Sequence, residues 1–260
     1  MSWPERRLAF QVEYDGTDFA GWQRQADDTP TIQAVLEAAI ADVVRHEVAV
    51  VGGSRTDAGV HARDQRAAVT LFHPIRPEGL EKALGRRLPA SISVRGVRDV
   101  PLDFHPRFAN GGKTYCYRLY LARRRHPLVD RFAWQVPWAL DRGRLAEAAL
   151  GCLGRHDFVS FASADHSQVT TVRHISRIAL TDEANGVMAL WIRGDAFLKQ
   201  MIRNLVGTWV DAARGRLDAG SMGAILAARD RQAAGPTAPG RGLTLERVHP
   251  RAPASTTRRD

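Results

Sequence analysis

Cysteines, lysines and long apolar runs are scarce in this 260-residue sequence. The two cysteines, Cys116 and Cys152, have neither a metal-ligand spacing nor the number needed for a disulfide framework, so we expect two small buried thiols. No uncharged apolar stretch approaches the length of a membrane-spanning helix, and the first residues lack the apolar core of a secretory signal. We therefore expect a soluble, cytoplasmic protein with no membrane partner.

The short motifs of metal and nucleotide chemistry are also missing. The nine histidines include no HExxH motif and no closely spaced pair. Neither GxGxxG nor GxxxxGK[ST] occurs. Asp15 and Asp18 resemble a metal-binding pair only weakly, because no further ligands follow at the spacing of a metal loop. We expect an activity that uses no metal and no nucleotide cofactor.

Arginine, by contrast, dominates the charge. Lys and Arg total 37 against 28 Asp and Glu, which gives a net charge of +9, and only Lys82, Lys113 and Lys199 are lysines. A surplus of this size favours a polyanionic partner, nucleic acid before membrane, and the guanidinium fork suits phosphates and bases. Basic clusters such as Arg63 with Arg66 either contact phosphates or form a solvated surface, and both interpretations stay open.

The hydrophobic pattern predicts alternating strands and helices. Segments of period two predict strands and segments of helical spacing predict helices. The first half contains predicted strands at 8–14, 48–51, 67–72 and 92–100 and helices at 32–43 and 77–87, with Thr29 or Thr31 as the first N-cap. The second half contains predicted strands at 115–121, 172–180, 187–193 and 243–248 and helices at 145–153, 196–214 and 221–229.

This order of elements predicts the fold class and the domains. Short connections and two-faced strands favour an α+β fold, with helices packed on one face of an antiparallel sheet, over a doubly wound fold. Both halves have a similar order of elements without a residue-level repeat. We expect an N-terminal α+β half at 1–108, a C-terminal α+β half at 109–249 and a disordered tail at 250–260 that is rich in Pro, Ser, Thr and Arg.

The loop at 52–61 is the most informative stretch for function. It places Asp57 between glycines, with Arg55 two residues earlier. Flanking glycines allow a ligand to approach the backbone closely or allow unusual dihedral angles. An exposed loop that holds one acid and one base is a place where a nucleophile is expected. The alternative is an ordinary turn in which Asp57 caps the following segment.

A loop at 14–25 carries further candidates for contact with a nucleic acid. It keeps Phe19 and Trp22 together with Gln23 and Arg24. Large aromatics in a loop either contact a base or anchor the loop to the core, and the sequence leaves both open. Gln23 and Arg24 are the candidate RNA contacts of this loop.

Tyr115 and the helix at 196–214 supply the remaining candidates. Tyr115 lies at the start of a strand and beside the boundary between the halves, where it forms either core or a platform on which a base stacks. Lys199 and Arg203 stand four residues apart on the helix, a like-charge pair that an anion between them would stabilise. A solvated polar face is the alternative for these two residues.

Nine segments together carry a family resemblance, and in chain order they read YDGTDFAGWQRQ, TIQAVLEAAI, SRTDAGVHA, FHPRF, GKTYCYRLY, HDFVSF, TVRHI, AFLKQMIRNLVGTW and GLTLERV. In their order and spacing, from Leu8 to Val248, they resemble the tRNA pseudouridine synthase A (TruA) family. Two positions depart from the family pattern: Ser54 stands where glycine is expected, and His249 stands where an aromatic residue is common.

The resemblance implies an isomerase that converts uridine to pseudouridine at positions 38, 39 and 40 of the tRNA anticodon stem-loop. It implies that Asp57 is the nucleophile, that Arg55 helps to displace the target base, that Tyr115 stacks on it and that Arg203 pairs with Asp57. It also implies two RRM-like (ferredoxin-like) halves that share a continuous, mostly antiparallel sheet, with helices on one face and the cleft on the other. The family works as a homodimer without a cofactor. A non-catalytic RNA-binding protein is the alternative function.

Overall fold

Strands and helices alternate along the computed structural model, which describes residues 3–165 and 169–251. Within these residues the ten strands are β1 (Arg6–Tyr14), β2 (Val50–Gly52), β3 (His61–Leu71), β4 (Ile92–Val100), β5 (Asn110–Tyr120), β6 (Trp134–Gln135), β7 (Gly154–Asp157), β8 (Val172–Glu183), β9 (Val187–Gly194) and β10 (Leu243–Pro250). The six α-helices are α1 (Ile32–Val44), α2 (Pro77–Leu84), α3 (Pro127–Asp130), α4 (Arg142–Leu150), α5 (Met201–Ala213) and α6 (Met222–Ala228).

One sheet runs through the whole molecule in the order β4-β1-β3-β10-β5-β9-β8-β7, with β2 also paired to β3 and β6 to β5. Among the described ladders only β3–β10 and β5–β6 are parallel. The α+β class and the mostly antiparallel sheet are therefore confirmed. The predicted tail at 250–260 lies outside the described residues except for Pro250, which ends β10, and Arg251.

Both halves of the sheet contain one chain order, strand-helix-strand-strand-helix-strand, to which the second half adds α3, β6, β7 and α6. In the first half the order is β1, α1, β2, β3, α2 and β4, and in the second it is β5, α4, β8, β9, α5 and β10. The spatial order is also equivalent, β4-β1-β3-β2 against β10-β5-β9-β8, which is the ferredoxin-like arrangement. The halves meet at the parallel β3–β10 ladder, where His61 and Ala62 pair with Thr244 and Leu245. The domain limits at 108 and 249 stay a prediction.

Local sequence explains why β1 and α1 form where they do. The inward positions of β1 alternate and are buried, ending at Tyr14. Of the two predicted N-caps, the structure uses Thr31, whose Oγ1 accepts a hydrogen bond from the Ala34 amide at 3.3 Å. Ile32, Leu36 and Ile40 then place one apolar stripe of α1 in the core. None of the described helices has the length and apolar composition that crossing a membrane requires.

The cleft lies beside the start of β5 and the first turn of α5, and its position on the face opposite the helices stays a prediction. Tyr115, Tyr117 and Leu119 alternate along β5 and are buried on one face of the sheet. Arg118 projects to the other face, where it forms ion pairs with Glu183 and Glu246. Ion pairs therefore occupy the sheet face to which Arg118 projects.

Candidate active site

A cleft of about 850 Å³ opens between the loop before β3, the start of β5 and the first turn of α5. It brings together segments that are more than a hundred residues apart in sequence, from the loop at 52–61 to α5. Six of the predicted site residues line it: Gln23, Arg55, Asp57, Tyr115, Lys199 and Arg203. Arg24 and Arg63 are not part of its lining.

Asp57 and Arg203 form an ion pair in the wall of the cleft. One guanidinium nitrogen (Nη1) of Arg203 donates to a carboxylate oxygen (Oδ2) of Asp57 at 3.1 Å. The Arg203 Nε donates to the Ala238 carbonyl at 2.8 Å, which fixes the orientation of the fork. The side chain of Arg203 is 15% exposed and that of Asp57 is 20% exposed, so the pair is shielded from solvent but still reaches the cleft. The charge of the acid is therefore neutralised by a neighbour that is held in place independently.

Main-chain contacts hold the loop around Asp57. The Thr56 carbonyl accepts the Trp22 amide at 3.1 Å, and the Thr56 hydroxyl lies 2.7 Å from the Tyr14 hydroxyl. Gly21 makes this approach possible, since it has φ +100° and a Cβ there would lie 2.5 Å from the Thr56 carbonyl oxygen. Trp22 is buried, and it therefore anchors the loop to the core rather than presenting a surface to a base.

Tyr115 forms one side of the cleft next to the loop. Its hydroxyl lies 3.1 Å from the Ser54 hydroxyl, and its ring meets Phe197 edge to face at a centroid distance of 5.3 Å. Burial raises the pKa of Tyr115 to about 12, the Ser54 hydrogen bond lowers it, and the Asp57 carboxylate raises it further. Tyr115 is thus a neutral ring that is held in a fixed position in the wall of the cleft.

The buried side chain of Gln65 fixes the backbone of Ser54. The Gln65 amide nitrogen donates to the Ser54 carbonyl at 2.7 Å, and its oxygen accepts the Ser54 amide at 3.1 Å. Serine in place of the glycine expected at this position is therefore accommodated by the loop, and its hydroxyl is directed at Tyr115. Sequence reasoning missed Gln65 and had no signal for it, because it stands in the polar stretch Arg63-Asp64-Gln65-Arg66, and its burial is visible only in the structure.

The mouth of the cleft carries polar residues. Arg55 is exposed and makes no hydrogen bond or ion pair with any described residue. Gln23 donates to the Gln33 side-chain oxygen at 2.7 Å, which ties it to α1. Lys199 forms an ion pair with Asp165, which also lines the cleft. Lys199 thus pairs with Asp165 and Arg203 with Asp57, so these two cations share no carboxylate of the described chain. An anion bound between them stays a prediction.

The other two RNA-contact candidates, Arg24 and Arg63, are paired outside the cleft lining. Arg24 contacts the buried carboxylate of Glu37 at 3.1 Å, and Arg63 contacts Glu246 at 3.5 Å on the outer face of the sheet. Both guanidinium groups remain mostly exposed, at 64% of the side chain. Their contact with RNA stays a prediction.

The weak metal-binding pattern of Asp15 and Asp18 has another explanation. Both carboxylates form ion pairs with the Arg131 guanidinium. Throughout residues 3–165 and 169–251, no three His, Cys, Asp or Glu side chains come together as a metal-binding group. His61 is buried, with Nδ1 accepting the Gly16 amide at 3.0 Å and Nε2 lying 3.1 Å from the Arg241 carbonyl, so its role here is structural.

The chain is similar in sequence to known proteins over most of its length. A family model described as tRNA pseudouridine synthase matches residues 11–109 and 148–249. The chain is 39% identical to "tRNA pseudouridine synthase A" of Syntrophotalea carbinolica over 237 residues, covering 91% of this chain and 93% of the relative. It is also 39% identical to the protein of that name in Myxococcus xanthus, covering 93% and 91%. A chain in "Structure of H/ACA RNP bound to a substrate RNA containing 2'-deoxyuridine" is 11% identical with a TM-score of 0.37, covering 78% of this chain and 43% of that one.

Proposed function

The chain belongs to the tRNA pseudouridine synthase family, and we propose that it isomerises uridine to pseudouridine at positions 38, 39 and 40 of the anticodon stem-loop. The observation that supports this site is the ion pair of Asp57 with Arg203 beside the ring of Tyr115, all in one cleft. The three tRNA positions follow from the family resemblance. We further propose a cytoplasmic homodimer that uses no cofactor.

The target nucleotide has to leave the RNA stem before it can react. In an A-form helix the narrow major groove and the stacked pairs hide the uracil, so the nucleotide is flipped out at a cost of a few kcal/mol. Arg55 suits the displacement of the base, because it is exposed at the cleft mouth two residues from Asp57 and is not engaged by a described residue. Its guanidinium would occupy the vacated space and form a hydrogen bond with the partner base that remains in the stem.

Tyr115 and Asp57 then act on the extruded uridine. The ring of Tyr115 replaces part of the lost stacking, which is worth about 1–3 kcal/mol per base in single-strand binders. The reaction breaks the bond from C1′ to N1 and joins C1′ to C5. C5 loses a proton to solvent and N1 gains one, so atoms and charge balance. Asp57 acts as the ionised carboxylate toward the ribose or the uracil ring, held by the Arg203 guanidinium at 3.1 Å. No redox partner or phosphate donor is needed, because the product is an isomer of the substrate.

Replacing the carboxylate tests the catalytic role directly. With tRNA tritiated at C5 of uridine, we expect Asp57→Asn to abolish tritium release while tRNA binding survives, because Asn keeps the shape of the side chain but not its charge. Asp165→Asn is the matched control, since Asp165 lines the same cleft and pairs with Lys199. Normal tritium release by Asp57→Asn would remove this residue from catalysis.

The alternative function is a non-catalytic RNA-binding protein. The basic charge and the ferredoxin-like halves are compatible with it, but it assigns no role to a single acid in the cleft. Pseudouridine formed in tRNA by the purified protein would exclude this alternative. Sedimentation of the purified chain decides whether it is a dimer.

A further inference from the structure

Behind Tyr115 the cleft is lined by positive charge that the proposed catalytic residues do not use. Lys113 and Arg173 line it, and each residue is only 8% exposed. The exposed Arg107 lines it as well. The sheet brings these positions together, because Lys113 on β5 pairs with Gly194 on β9, and β9 in turn pairs with β8, on which Arg173 lies.

The two buried cations have donors without partners. Among the described residues, Lys113 makes no side-chain hydrogen bond and no ion pair. Arg173 makes no ion pair with a carboxylate of the described chain. One nitrogen (Nη1) of Arg173 donates to the Thr170 and Val172 carbonyls at 2.9 and 2.7 Å, which fixes the guanidinium. Its Nε is buried and has no hydrogen-bond partner within the described chain.

In the described chain, Asp195 is the one acid whose charge raises the pKa of Lys113 and of Arg173, and it faces three cations. Its Oδ1 already accepts the His174 amide at 3.1 Å and the Ala196 amide at 2.6 Å. Burying cations without a paired anion is unfavourable for folding, so side chains of this kind are typical of a place where an anion binds. Burial and the Arg107 charge lower the pKa of Lys113 to about 8, in agreement with an ammonium that lacks a counter-ion.

We propose that Lys113, Arg173 and Arg107 form a phosphate subsite that binds one backbone phosphate of the RNA next to the extruded uridine. This inference rests on the proposed function, because it takes RNA as the ligand. Lys113 precedes Tyr115 by two residues on the same face of β5, which places the two side chains about 7 Å apart along the strand. A phosphate held there would set the position of the ribose relative to Asp57. Lys113 and Arg173 are thus positioning residues.

Salt-dependent binding of tRNA tests the subsite. We expect Lys113→Met, which keeps the length of the side chain, to weaken tRNA binding about tenfold to a hundredfold, as for loss of a charged hydrogen bond. It should also lower the slope of log Kd against log salt by about 1. Lys82→Met is the matched control, because Lys82 is exposed on α2 outside the cleft, and it should change neither quantity. Equal affinities and equal slopes for the two variants would overturn the proposal.

A second measurement uses the unaltered protein and modified RNA. Anticodon stem-loops that carry one neutral methylphosphonate at successive positions should lose affinity most at a single phosphate next to the target uridine. Lys113→Met should lose nothing further at that phosphate. A uniform effect along the strand would reject the subsite even if the variant failed to fold. Pseudouridine formation by the wild-type protein is scored on the same tRNA, so failure of the proposed activity is seen separately from failure of the subsite.

Discussion

The ion pair of Asp57 with Arg203 makes a quantitative prediction about stability. Removing one partner of a buried pair leaves an uncompensated charge and costs about 3–5 kcal/mol. Because 20% of the Asp57 side chain is still exposed, we expect the uncompensated charge in Arg203→Met to lower the free energy of unfolding by about 2–3 kcal/mol. Loss of the hydrogen bond to the Ala238 carbonyl adds about 1 kcal/mol. The melting temperature should then fall by roughly 10 °C for a chain of this size.

A double-mutant cycle isolates the contribution of the pair. In the Asp57→Asn background no carboxylate is left uncompensated, so Arg203→Met should cost only about 1–2 kcal/mol there, and the coupling between the two sites should be about 2 kcal/mol. Urea unfolding followed by circular dichroism measures all four proteins. Arg98→Met is the control, because this arginine is exposed on β4 and has no side-chain partner within the described chain. A coupling below about 0.5 kcal/mol would show that the ion pair does not form in solution.

Three further predictions concern the same cleft. Gly21→Ala should slow pseudouridine formation and destabilise the fold by about 1–3 kcal/mol, because φ at this position is +100°. The control is Gly223→Ala in α6, where a Cβ would meet open space, and it should be neutral or stabilising when both variants are melted. Ser54→Ala should slow single-turnover conversion about twofold to tenfold. In a Tyr115→Phe background, where the partner hydroxyl is gone, Ser54→Ala should cause no further slowing. Additive effects of the two substitutions would contradict the hydrogen bond. Since burial lowers the pKa of Lys113 to about 8 from 10.5, the native state releases this proton at a lower pH than the unfolded state does. The free energy of unfolding of the wild type should therefore rise relative to Lys113→Met between these pH values, and a constant difference in urea titrations would contradict the shift.

Regular elements were predictable wherever one periodicity was strong. The alternation at 8–14 and the helical spacing at 32–43 appear as β1 and α1, with small changes at their ends. The helix predicted from residue 196 begins only at Met201, because Gln200 adopts a left-handed conformation at φ 60° and Phe197 packs on Tyr115 instead. The polar strand β7 has no apolar alternation, and only its pairing with β8 makes it a strand.

The candidate site was predictable to a different extent in each of its parts. Asp57 and Tyr115 lie in short, distinctive segments, and Arg203 is assigned through the family resemblance. The cationic cluster was not predictable, because Lys113 and Arg173 are 60 residues apart and isolated basic residues are usually solvated. Only the register of β5, β9 and β8 brings these two side chains into one cleft. The face of the sheet on which the cleft opens also depends on tertiary packing, which strand periodicity does not specify.

The position of β10 has a consequence for how the protein matures. This strand is synthesised after all the others in the described chain, yet it lies at the middle of the sheet, between β3 and β5. Until it is added, each half presents an open edge whose unpaired amides and carbonyls are a risk for association with other chains. Completion therefore requires contacts across nearly two hundred residues, a topology typical of slow folding. A nascent chain stopped before residue 243 would carry Asp57, Tyr115 and Arg203. It would lack β10, the strand between β3 and β5 that holds these residues close together.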